Sequence, residues 1–197
     1  MSIKIGIAGP VGSGKTAIIE QLTNVLKNEY SVGIVTNDIY TTEDANYLKH
    51  HLELEDDRII GVETGGCPHT AIRDDISANQ NAVEALEKKF NPDIIFIESG
   101  GDNLSATFSY ELIDYYMYII DVAQGADIPR KKGAGLLFSD LLVINKTDLA
   151  PYVEVNLESM VQDVQDNRKN KPYLFMNNKN KSTLLKIHEW ILCLLVQ

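Results

Sequence analysis

Short apolar runs alternate along this chain with longer stretches of helical period. Ile3–Ala8 reads as a buried strand, followed by a glycine-rich turn and a helix from about Thr16 to Asn28. Val32–Val35 forms a second strand pattern, and a polar acidic stretch then leads into a short helix over Thr42–His51. Arg58–Val62 reads as a strand, and Ile72–Phe90 as one long helix stopped by Asn91-Pro92. Ile94–Ile97, Tyr116–Ile120 and Leu141–Ile144 are three further strand patterns. They are followed by a helix over Val153–Asn167, a strand over Tyr173–Met176 and a closing amphipathic helix over Thr183–Val196. Such alternation implies βαβ units and a mostly parallel, doubly wound central sheet flanked by helices, an α/β fold of three layers. With no repeat or linker in 197 residues, a single domain over 1–197 is expected.

Composition narrows the function classes. A net charge of -10 argues against nucleic acid as a partner, because phosphate backbones reward clustered Lys and Arg. No stretch approaches the roughly 18 apolar residues of a membrane span. The N-terminus carries no leader signature, so a cytoplasmic protein is expected. Two distant cysteines, Cys67 and Cys193, do not suggest a disulfide framework.

Two motifs carry the chemistry. Gly9-Pro10-Val11-Gly12-Ser13-Gly14-Lys15-Thr16 fits G-x-x-x-x-G-K-[ST] and sits between a strand and a helix, where a phosphate loop belongs. Its backbone N–H groups converge on phosphate oxygens and the helix N-terminus adds partial positive charge. Lys15 is expected at the β- and γ-phosphates and the Thr16 hydroxyl on magnesium. Asn145-Lys146-Thr147-Asp148 ends an apolar strand, at the carboxyl edge where open α/β sheets bind ligands. There the chain resembles GTPases: the Asp148 carboxylate would accept from guanine N1–H and the exocyclic amine, with Asn145 supporting the base and Lys146 packing along its plane. The segment Asn177-Asn178-Lys179 near the same edge is not a clean S-A-K motif.

A third feature is Cys67-Pro68-His69, a thiolate and an imidazole two positions apart. Nickel, copper or zinc accept such ligands, and one pair fills only half a site, so a second protomer is the simplest source of the rest. With G-P-V-G-S-G-K-T, T-N-D-I-Y-T at Thr36–Thr41, E-T-G-G-C-P-H at Glu63–His69, E-S-G-G-D-N-L at Glu98–Leu104, D-V-A at Asp121–Ala123 and N-K-T-D-L-A-P at Asn145–Pro151, the chain resembles the UreG family of urease accessory GTPases, in the SIMIBI class of P-loop proteins.

That resemblance implies a nickel metallochaperone that dimerises with GTP, Mg²⁺ and Ni²⁺ and assists nickel incorporation into urease. Its implied partners are the urease apoprotein and the other urease accessory proteins. Carried over by position, Lys15, Thr16 and Asp38 form the catalytic set; Thr16, Asp38 and Glu63 surround magnesium; Cys67 and His69 bind nickel from both protomers. Glu63 lies four residues before Cys67, so magnesium at the γ-phosphate can bias the nickel segment. Plainer roles exist for some of these residues. Asp38 and Glu63 can serve as helix caps, His50, His51 and His188 as surface or packing residues, and Cys193 as core.

No D-x-x-G follows the magnesium-site strand, so slow, partner-dependent hydrolysis is expected, and a GTP- and metal-gated binding module without turnover is the alternative. A hydrogenase nickel-insertion GTPase is the nearer rival. That family usually carries additional Cys or His sites, which two scattered cysteines do not supply.

Overall fold

The structure is a computed structural model that describes residues 2–66, 68–101 and 106–196. Seven strands form its core sheet: β1 (Ile3–Ala8), β2 (Val32–Asp38), β3 (Ile59–Glu63), β4 (Ile94–Glu98), β5 (Tyr115–Asp121), β6 (Leu141–Asn145) and β7 (Tyr173–Phe175). Every pairing is parallel, in the order β3-β2-β4-β1-β5-β6-β7. The helices are α1 (Lys15–Leu26), α2 (Glu43–His51), α3 (Pro68–Arg73), α4 (Ser77–Phe90), α5 (Ala134–Phe138), α6 (Leu157–Arg168) and α7 (Lys181–Leu195).

The unbroken apolar runs are explained by burial on both faces of the sheet. Along β4, Ile94 and Phe96 pack on one side and Ile95 and Ile97 on the other. In β6, Leu141 and Val143 oppose Leu142 and Ile144 in the same way, the period of two that a strand imposes. The first face is covered by Ile18 and Leu22 of α1, Leu48 of α2 and Ile187 and Ile191 of α7. The second face is covered by Val83 and Leu86 of α4, Leu136 of α5 and Met160 and Val164 of α6. No helix among the described residues is long and apolar enough to cross a membrane.

Three boundaries differ from the sequence reading. The helix expected over Ile72–Phe90 is two helices. Asp74 N–H and Asp75 N–H both donate to Thr70 O, closing α3, and Asp75 Oδ1 accepts from Ser77 N and Oγ at 3.3 and 2.7 Å. The Asp75 side chain thus competes with the helical ladder at the break. Helix α6 begins at Leu157 rather than Val153, because Asn156 Oδ1 caps Ser159 N at 3.1 Å and Glu154 has a φ of 55°. Strand β2 runs three residues further than its apolar pattern, to Asp38, because β3 pairs with its end.

Candidate functional site

The phosphate loop joins β1 to α1 beside the carboxyl ends of β4 and β5, and four of its consecutive carbonyls are held by side chains. Pro10 O accepts from Lys15 Nζ at 3.4 Å, Val11 O from Gln124 Nε2 at 3.2 Å, Gly12 O from Lys146 Nζ, and Ser13 O from Asn145 Nδ2 at 2.9 Å. A trans peptide points its N–H opposite its C=O, so anchoring Val11 O and Ser13 O turns the Gly12 and Gly14 N–H groups away from those anchors, while Val11 N–H donates to Gly101 O at 2.8 Å and Ser13 N–H to Pro10 O at 3.1 Å. Gly14, the residue before α1, has a φ of +98°, and a Cβ there would lie 2.5 Å from Asn145 Nδ2. Glycine is therefore required both by backbone conformation and by the close approach of the base-side strand. The arrangement forms an anion cradle at a helix N-terminus, and it suits a nucleotide triphosphate tail.

Around Thr16 the structure gathers carboxylates that sequence reasoning did not single out. Thr16 Oγ1 lies 2.8 Å from Glu98 Oε1 and 3.4 Å from Asp44 Oδ1. Glu98 ends β4 opposite Ile7 of β1 and is fully buried, and its Oε2 has no hydrogen-bond partner among the described residues. Burial pushes the Glu98 carboxyl up to about 7; Lys15 pulls it back, Asp44 pushes it further, the Thr16 hydroxyl lowers it and Asp38 raises it. Asp38, at the end of β2, accepts from Ile39 N at 2.7 Å and from the Thr41 hydroxyl. Thr16, Asp38, Asp44 and Lys15 line one cleft of about 540 Å³ with Val11 and Tyr47. A hydroxyl surrounded by hard oxygen donors, one of them buried and unsatisfied, fits magnesium chemistry. Glu63 is paired in register with Asp38, yet it is exposed and lines a separate hollow with Thr64, Thr70 and Asp75. The end of β4 signalled Glu98 in sequence; Asp44 carried no local signal, because only the packing of α2 beside α1 brings it to Thr16.

On the base side, Asn145 ends β6 fully buried, and Lys146 follows in the left-handed region with a φ of 58°. Asn145 Oδ1 accepts from Lys146 N at 2.7 Å, and Thr147 N–H donates to Met176 O at 3.1 Å, which ties the motif to the segment after β7. Asp148 Oδ2 lies 3.6 Å from Lys179 Nζ, and Asn178 Nδ2 would sit 3.3 Å from a Cβ on Gly14. The segment Asn177-Asn178-Lys179 thus reaches the base side despite its irregular motif.

Within Cys67-Pro68-His69, Cys67 lies outside the described residues, as do Asp102 to Leu104 of the E-S-G-G-D-N-L stretch. Pro68 and His69 begin α3, and both are buried. A Cβ on Gly100 would meet Pro68 Cβ at 2.6 Å, and one on Gly101 would meet Val11 Cγ2 at 2.5 Å. The turn after β4 therefore touches the phosphate loop with one glycine and the Cys-Pro-His segment with the other. Among the described residues, no three His, Cys, Asp or Glu side chains converge as a metal cluster. Cys193, expected in the core, is instead exposed, on the outer side of α7. His50 and His51 are exposed on α2, where the His51 ring stacks on Tyr47 with centroids 4.0 Å apart. His188 is half-buried on α7.

Comparison with known proteins gives the family and the fold. Residues 3–175 match the family described as CobW/HypB/UreG, nucleotide-binding domain. The chain is 76% identical over 191 residues to the urease accessory protein UreG of Aliarcobacter butzleri, covering 97% of this chain and 98% of that one. It is 60% identical to the urease accessory protein UreG of Lysinibacillus sphaericus, covering 96% and 91%. Among solved structures, HypB from Helicobacter pylori in complex with nickel superposes with a TM-score of 0.78 at 20% identity, covering 97% of this chain and 86% of that one, a likeness of fold.

Proposed function

The chain belongs to the UreG group of the CobW/HypB/UreG nucleotide-binding family, and on that premise we propose a GTP-hydrolysing nickel chaperone that supplies urease. The observation that carries this reading is the hydrogen-bonded union of the phosphate loop with the N-K-x-D motif, through Asn145 and Lys146. The whole chain acts as one domain, in the cytoplasm, with the urease apoprotein and other urease accessory proteins as partners.

Lys15 and the N–H groups of the loop neutralise the β- and γ-phosphates, and the Asp148 carboxylate selects guanine. Thr16 and Asp38 would hold magnesium, with Asp44 and Glu98 beside Thr16, whereas Glu63, expected there from sequence, faces a separate hollow. Bound there, magnesium supplies charge neutralisation at the phosphates. Glu98 orients the Thr16 hydroxyl, which would serve as a ligand of the cation. Val11, Gly101, Gly100 and Pro68 form a continuous line of contacts from phosphate loop to nickel segment. A change at the γ-phosphate reaches the Cys-Pro-His segment through that line.

Nickel is cargo, held between two protomers by Cys67 and His69 of each. Light scattering with GTP, Mg²⁺ and Ni²⁺ present tests this. A dimer is expected that dissociates on hydrolysis, with one nickel per two chains, and Cys67→Ala should abolish both dimer and nickel. A Cys67→Ala protein that dimerised and held nickel normally would overturn the assignment.

A further inference from the structure

We propose that Asp121 is a positioning residue for guanine nucleotide binding, acting through Lys146; this rests on the GTPase reading above. Asp121 is the last residue of β5, in register with Asn145 of β6, and only 2% exposed. Burial keeps it from touching a nucleotide, yet a buried carboxylate at the floor of the site needs partners. One oxygen, Oδ1, accepts from Ala123 N at 2.7 Å, and the other, Oδ2, lies 3.2 Å from Lys146 Nζ.

The same ammonium donates to Gly12 O of the phosphate loop. A lysine head is a point charge on a four-carbon stem, free to swing unless its donors are engaged. Here the ammonium donates to Gly12 O and is ion-paired with a carboxylate held in place because Gln124 fixes its backbone and Ala123 its side chain. Lys146 is thereby stretched between the base-reading motif and the phosphate loop, with its stem presented at one orientation. Asp121 thus joins guanine recognition and phosphate recognition into one rigid unit. This pre-organisation lowers the ordering cost of binding.

A merely structural Asp121 would only cap the short turn over Val122–Gln124. Asp121→Asn separates the two roles, since it keeps an oxygen for Ala123 but loses the charge that holds Lys146. Dissociation constants for a fluorescent GDP are measured for the wild type, Asp121→Asn, Lys146→Met and the double variant, beside their melting temperatures. Asp121→Asn should weaken GDP about tenfold with its melting temperature preserved, and should cost under about twofold when Lys146 is already Met. If Asp121→Asn is too unstable to purify, Asp121→Ser, which also offers Ala123 an oxygen, takes its place in the cycle. Unchanged GDP affinity in the single variant, or an equal loss in both backgrounds, would overturn the proposal. A wild type that fails to bind GDP would instead overturn the GTPase reading, and the proposal with it.

Discussion

Gly100 and Pro68 approach so closely that a Cβ on the glycine would fall 2.6 Å from the proline Cβ. The turn after β4 and the start of α3 are separated by some thirty residues of sequence, yet only a hydrogen atom lies between them. Gly100→Ala must therefore push Pro68, and with it the Cys-Pro-His segment, away from the phosphate side. The expected cost is about 1–3 kcal/mol in stability, as for other forced insertions into packed contacts. Nickel-bound dimer should also lose its dependence on GTP. Urea denaturation and light scattering, with GDP and with a non-hydrolysable GTP analogue, check the two effects separately.

Base selection should move with one atom of Asp148. Guanine presents N1–H and an amine to a carboxylate, whereas xanthine presents a carbonyl where the amine stood. Asp148→Asn replaces an acceptor with a donor at that position, so affinity for GDP should fall by roughly a hundredfold and affinity for XDP should rise. Competition of both nucleotides against a fluorescent analogue measures the exchange. Lys179, 3.6 Å from the same carboxylate and largely exposed, should matter little: Lys179→Ala is expected to change GDP binding by less than about threefold.

The buried Glu98 carboxyl gives the nucleotide- and metal-free protein a pH dependence. Its ordinary value of 4.5 is raised to about 7 in the folded chain, so between those limits the folded state binds more protons than the unfolded one. Stability from this group is thus complete below about 4.5 and is lost as pH rises through 7, by on the order of 3 kcal/mol. Glu98→Gln should remove that slope, matching the wild type near pH 4.5 and exceeding it in stability at pH 8. Denaturant unfolding across this range, in chelator, is the measurement; parallel wild-type and variant curves would contradict the assignment.

Away from the cleft, Arg168 is 3% exposed and spends its guanidinium on main-chain carbonyls. It donates to Leu136 O, to Ser139 Oγ at 2.9 Å and O at 3.1 Å, and to Pro172 O at 2.8 Å, fastening α5 and the entry of β7 to α6. Arg168→Ala leaves those buried acceptors unpaired and should destabilise the protein by about 3 kcal/mol, visible as a lower melting temperature. GDP affinity of the remaining folded protein should be unchanged.

What the sequence determined by itself was the set of local parts. Continuous apolar runs specified strands buried on both faces, and the two ligand motifs declared themselves because their chemistry is written in consecutive residues, Gly9–Thr16 and Asn145–Asp148. Tertiary structure decided whatever depends on residues distant in the chain. It carried β2 on to Asp38 by pairing that end with β3, split the helix at Asp75, brought Asp44 and Glu98 to the Thr16 hydroxyl, and left Cys193 facing outward. The physical reason is the same in each case. Periodicity and propensity act within a few residues, whereas a buried carboxylate, a glycine contact or an ion pair such as Asp121 with Lys146 exists only where the folded sheet sets its strand ends side by side.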